Sequence, residues 1–174
     1  MYAALYLRAL EPGTLIVLVV IGLLLVVSAA MSASEVALFS LSPTQLRDVQ
    51  ERGGSSGQRV MDLLAKPRRL LATILIANNF VNVGVVILST VAVSDLLDLS
   101  RMPTYMVFII QVLAITFIIL LIGEVLPKVY ATSNPVRVAQ TMSGPLLTLR
   151  WIFKPISETL VRSTIFIEKR YRKR

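Results

Sequence analysis

Three polar clusters interrupt a sequence that is otherwise almost wholly apolar around them. The first, in SAAMSASEVALFS over 28–40, puts Ser28, Ser32 and Glu35 at helical spacing on one face, with Ser34 on the other side. The second, ANNFVNV over 77–83, sets Asn78 and Asn82 one helical turn apart with Asn79 between them. The third, GEVLPK over 123–128, gathers Gly123, Glu124, Pro127 and Lys128. Ionisable groups inside a bilayer cost roughly 2.5–3.5 kcal/mol at a helix centre, and they persist where they are paired or functional. The donors on offer are hydroxyl, amide and carboxylate oxygens, which suit a hard cation such as Mg²⁺, Ca²⁺ or Na⁺. Pro127 has no N–H to give the carbonyl four residues earlier, that of Gly123. A broken helix is therefore expected there, with a free carbonyl beside the Glu124 carboxylate, a device that transporters use to hold ions.

Most of these residues also have an ordinary structural use. Serine in a membrane helix often bonds back to its own backbone, which applies to Ser28, Ser34 and Ser40. Asparagines such as Asn79 and Asn82 hold helices together. Glu35 has a structural partner at hand in Lys128 or an asparagine. Glu124 between Gly123 and Pro127 is the group hardest to explain in this way.

The elements that would position the clusters are membrane spans. The chain has 174 residues, of which 55% are hydrophobic, and its mean hydropathy is +0.74. That is too apolar for an ordinary soluble domain. Stretches 14–38, 70–93 and 104–130 each exceed the ~20 apolar residues that a span requires. The first is too long for a signal peptide and is preceded only by Arg8. Basic residues crowd 42–69 and everything after the third span, whereas Arg8 and Arg101 fall on the other side. The positive-inside rule then places the N-terminus outside and the C-terminus in the cytoplasm. In that orientation all three polar clusters lie in the cytoplasmic half of the membrane. They are expected to meet in one pocket open to the cytosol.

The fold class expected is thus all-α and integral to the membrane, with three transmembrane helices and cytoplasmic juxtamembrane amphipathic helices. Residues 1–135 form the transport domain. It includes a cytoplasmic hairpin at 43–69, with helices over 43–51 and 58–65 joined by the flexible turn QERGGSSGQR. Residues 136–174 form a juxtamembrane belt, because Arg150, Lys154 and Arg162 interrupt every apolar run, and Trp151 anchors at the headgroups. The ending EKRYRKR reads as the start of a cytoplasmic extension. The net charge of +8 is accounted for by anionic headgroups rather than nucleic acid. With no Cys and no His there is no disulfide framework, no Cys/His zinc site and no histidine-based catalysis. A Ser32–Lys128 dyad is the only enzymatic arrangement on offer, and no second acid supports it, so the chain is read as a non-enzyme.

The motifs SASEVAL, ANNFVNV and GEVLPK, in this order on three spans, resemble the transmembrane domain of the CNNM/CorC (cyclin M and CorC) magnesium transporters. The likeness covers nearly the whole chain, and GEVLPK is its most specific part. The resemblance implies a homodimer of three-span subunits in the plasma or inner membrane, exporting Mg²⁺ at the expense of Na⁺ entry. It implies Ser32, Asn78, the Gly123 carbonyl and Glu124 as Mg²⁺ ligands; Na⁺ is expected to compete for the same oxygens or to use Ser28, Glu35 and Asn82 nearby. It also implies that ATP acts through cytoplasmic CBS domains that lie beyond this chain. Gly84, Ser89 and Thr90 on the second span offer small and polar residues for the dimer contact. The competing reading is a membrane anchor or sensor for such cytoplasmic domains, its polar pocket purely structural.

Overall fold

The computed structural model describes residues 11–96 and 103–159. Arg8, Arg101, Arg162 and the basic ending lie outside the described residues, as does most of the connection between the second and third spans.

Three helices are long and apolar enough to cross a membrane. The first, α1, is Pro12–Phe39. The second, α4, is Pro67–Leu96. The third runs as one 30-residue element over Thr104–Ser133. At 1.5 Å per residue each exceeds the ~30 Å hydrocarbon thickness. Their outer faces fit a lipid surrounding. On α1, Ile16, Val19, Leu23 and Val26 are all more than 60% exposed. In water such a stripe would be an aggregation site, whereas in a bilayer it is simply covered by lipid.

Two short helices join the first two spans, α2 (Pro43–Arg52) and α3 (Gly54–Leu64). Ser42 begins α2 through a capping box: its hydroxyl accepts from the Gln45 N–H at 3.3 Å, and its own N–H donates to Gln45 Oε1 at 2.9 Å. The flexible turn expected over 50–59 is absent, because α3 starts at Gly54 rather than at residue 58. Glycine makes this tight corner. Gly54 has φ +53°, a left-handed conformation that costs glycine little. At Gly57 a Cβ would collide with the Val49 carbonyl oxygen, so α3 can fold back onto α2 only without a side chain there.

The last described helix of length, α7 (Pro135–Ile152), follows the third span directly. It buries Val138, Ala139, Ser143 and Leu146 in one core with Ala37 and Leu38 of α1, Val49, Val60 and Leu63 of the hairpin, and Leu70 of α4. Arg59 Nε donates to Ser143 Oγ at 3.2 Å and ties α3 to α7. The juxtamembrane helix is thus packed into the same core as the spans. A second apolar cluster lies deeper, where Val85 of α4 meets Ile115 and Ile119 of the third span, with Ile21, Leu24 and Leu25 of α1 against them. On α4, Asn78 and Asn82 fall between Ala77 of one cluster and Val85 of the other; on the third span, Gly123 and Glu124 fall between Ile119 and Ala131.

Gly84 is used inside the subunit, since a Cβ there would lie 3.3 Å from Leu24 Cδ1 of α1. Thr90 bonds back to the Val86 carbonyl at 3.1 Å.

Candidate metal centre

The third span does not break at Pro127. It is α-helical over Thr104–Ile118 (α5), widens into a π-helical segment over Ile119–Val125, and resumes as α6 over Leu126–Ser133. The physical cause is the one read from the sequence, with a different outcome. Proline has no N–H for the Gly123 carbonyl, and its ring crowds that carbonyl. The backbone answers by adopting five-residue hydrogen bonding, in which the Leu126 N–H reaches the Leu121 carbonyl. The wider turn carries Gly123 and Glu124 against α1.

Gly123 is buried at that contact, and a Cβ on it would come within 2.9 Å of Ser28 Oγ. A side chain there would force the buried Ser28 hydroxyl to shift, so glycine lets the π segment lie this close to α1 without disturbing it. Ser28 is itself fully buried, with its hydroxyl 2.9 Å from Asn78 Oδ1 and 2.7 Å from Asn82 Oδ1. Asn82 Nδ2 in turn points to Glu124 Oε1 at 3.4 Å, a long contact. The orientation of the Asn82 amide follows: its nitrogen faces the carboxylate and its oxygen faces Ser28. One hydroxyl carries one proton, so Ser28 satisfies one amide oxygen at a time. The centre gathers oxygens from three spans, two of which compete for the single Ser28 proton.

Ser32 lies one turn further along α1, 1% exposed, and its Oγ has no hydrogen-bond partner. Among the described residues no other buried side-chain oxygen or nitrogen lacks one. An unsatisfied buried hydroxyl costs about 1–3 kcal/mol, so this one calls for an explanation. Beyond Ser32, Glu35 Oε2 meets Lys128 Nζ at 3.5 Å, with both side chains 40% exposed. Glu35 thus has the lysine partner foreseen as its structural use, and Ser32 and Lys128 make no hydrogen-bonded dyad.

The structure also sorts the neighbours. Ser34 donates to the Ala30 carbonyl at 2.6 Å and Asn79 to the Leu75 carbonyl at 2.9 Å, so both stay out of the cluster. Ser28 and Asn82, ranked behind Ser32 and Asn78 in the sequence, prove to be the hub that joins α1, α4 and the π segment. Among the described residues there is no group of three or more His, Cys, Asp or Glu that could hold a metal. Any cation here would rest on one carboxylate, with hydroxyl and amide oxygens around it. That set fits a hard ion that keeps part of its water.

Residues 18–173 match the cyclin M transmembrane N-terminal domain. The chain belongs to the cyclin M transmembrane-domain family. It is 34% identical over 143 residues to the UPF0053 inner membrane protein YfjD of Escherichia coli, covering 78% of this chain and 32% of that protein. A UPF0053 protein of Haemophilus influenzae is 34% identical over 144 residues, covering 83% of this chain and 32% of its own. A chloroplastic DUF21 domain-containing protein of Arabidopsis thaliana is 28% identical over 163 residues, covering 94% of this chain and 23% of its own. The chain therefore spans a third or less of the length of these cyclin M relatives. With three helices long and apolar enough to cross a bilayer, this family member is a multi-pass membrane protein.

Proposed function

We propose that this chain is the ion-carrying membrane domain of a Mg²⁺ exporter, in which Mg²⁺ binds at the layer formed by Ser28, Ser32, Asn78, Asn82, Gly123 and Glu124. The observation that carries the proposal is the orphaned Ser32 hydroxyl one helical turn from a cluster in which two amide oxygens share one hydroxyl proton. A cation accounts for both. It accepts lone pairs from Ser32, from the amide oxygen that Ser28 leaves unpaired, and from Glu124. Mg²⁺ dehydrates reluctantly, so a site with one carboxylate is suited to modest affinity and release. Na⁺ entry is the proposed driving force, with alternating access from a cytosol-facing pocket. The orientation proposed has the N-terminus outside, on the strength of the basic residues in 42–69 and after the third span. The assembly proposed is a homodimer, regulated through ATP-binding CBS domains in the longer protein. No catalytic step is assigned to any residue.

The test is isothermal titration of Mg²⁺ into the purified chain, paired with Mg²⁺ flux in proteoliposomes. Saturable binding and flux are expected, and Ser32→Trp should abolish both while the protein still inserts and assembles. Wild-type affinity in Ser32→Trp would overturn the site. Binding without flux would favour the anchor or sensor reading.

A further inference from the structure

A cavity of about 400 Å³ with four basic residues in its lining lies away from the oxygen cluster. Its lining is Lys66, Arg69, Leu147, Arg150, Trp151 and Lys154. Four cations around one cavity repel each other unless an anion lies between them. Two of the four are held in place. Arg69 Nη1 meets Glu158 at 3.3 Å, and Arg150 Nη1 donates to the Asp62 carbonyl at 3.0 Å. Those contacts fix the guanidinium groups, and among the described residues the cavity's lining itself holds four basic side chains and no acidic one. Lys66 and Lys154 are exposed, so their ammonium groups are free to close on a ligand.

Position narrows the ligand class. Lys66 and Arg69 flank Pro67, the residue at which α4 begins its span, so the cavity sits at the membrane boundary. Trp151 is 78% exposed there, as an indole at headgroup level would be. Basic pockets at the ends of spans bind phosphorylated headgroups, and Leu147 with Trp151 supplies apolar wall for the glycerol and upper acyl chain.

We propose that this cavity is a specific site for a phosphate-bearing anion at the membrane boundary, distinct from diffuse attraction of the basic surface to lipid. Arg69 and Arg150 form the fixed half and Lys66 and Lys154 the closing half. The ligand chemistry is a phosphodiester or phosphate group, carried by an anionic lipid headgroup or by free phosphate.

The chain has one tryptophan, and it lines the cavity, so its emission reports occupancy directly. The purified chain in detergent is titrated separately with dihexanoyl phosphatidylglycerol, dihexanoyl phosphatidylcholine and inorganic phosphate. A saturable change in Trp151 emission is expected with phosphatidylglycerol, at least tenfold tighter than with phosphatidylcholine. If inorganic phosphate saturates the signal as tightly, the phosphate site stands and its natural ligand is the free ion; if it does not, the source is lipid. Lys66→Gln with Lys154→Gln should weaken binding about 30-fold, from loss of two charges near the membrane surface, and Lys66→Arg with Lys154→Arg should keep it. Arg52→Gln with Arg137→Gln removes equal charge from exposed positions elsewhere and should leave it unchanged. No saturable change, equal loss in the Arg52/Arg137 pair, or wild-type binding in the Lys66/Lys154 glutamine pair would each overturn the proposal. Because Mg²⁺ titration reads a different set of residues, failure here leaves the cation site untouched.

Discussion

At the residue scale, the informative atoms are those whose hydrogen bonding does not close. Ser32 gives an opposed pair of expectations. Ser32→Ala removes a buried hydroxyl that has no partner, so the apo protein should be as stable as wild type or more so, by up to about 1–3 kcal/mol. The same substitution should weaken Mg²⁺. A purely structural serine would show no loss of Mg²⁺ binding, and thermal unfolding with and without Mg²⁺ reads both effects on one sample. Glu124→Gln keeps the shape of the side chain but removes the carboxylate that contacts the Ser28–Asn82 hub. Losing even an outer partner of a metal ligand costs about 10–100-fold in affinity, and loss of the charged ligand should exceed that range by isothermal titration. Glu124→Lys places a cation in the site and should leave no measurable binding. If Glu124→Gln binds as wild type does, the carboxylate serves only to hold Asn82.

At the element scale, the π-helical segment Ile119–Val125 is what brings the third span to α1. Its cause is Pro127, so Pro127→Ala is the direct test. An alanine N–H can recapture the Gly123 carbonyl and return the span to α-helical register. Mg²⁺ affinity should then fall although no side-chain oxygen has changed; a silent Pro127→Ala would mean that the π turn is held by packing instead. The α2–α3 hairpin offers a second test at this scale. Gly57→Ala drives a methyl into the Val49 carbonyl, a backbone atom that cannot rotate away. A loss of roughly 1–3 kcal/mol is expected from such overpacking, read as a lower unfolding temperature with Mg²⁺ affinity largely kept.

At the scale of the whole molecule, the open matter is what covers the apolar surface. On α4 the outward stripe is Phe80, Val83 and Ile87, exposed by 73%, 58% and 59%, now that Gly84 is seen to pack on Leu24. In a homodimer part of this stripe or of the third span must meet its counterpart. The chain has no cysteine, so single cysteines along α4 and the third span give a clean cross-linking series. Dimer bands should appear with helical periodicity, and a monomer in every detergent and lipid tried would count against the assembly.

Sequence alone determined the three spans to within a few residues, because lipid demands long apolar runs whose backbone bonds close within each helix, a local property. It also brought the three polar clusters to one depth, since depth follows from counting residues along a rod of known rise. The grouping of Ser28, Asn78, Asn82 and Glu124 was legible for that reason. What counting cannot supply is rotation about the helix axes and the local pitch. Whether Pro127 kinks the helix or widens it depended on how closely Gly123 could approach Ser28. Whether Ser34 and Asn79 faced the site or their own backbones was likewise a matter of rotation. The turn expected over 50–59 became helix because Gly57 found the Val49 backbone to pack on. These were decided by contacts between elements, and contact between elements is what a one-dimensional pattern leaves open.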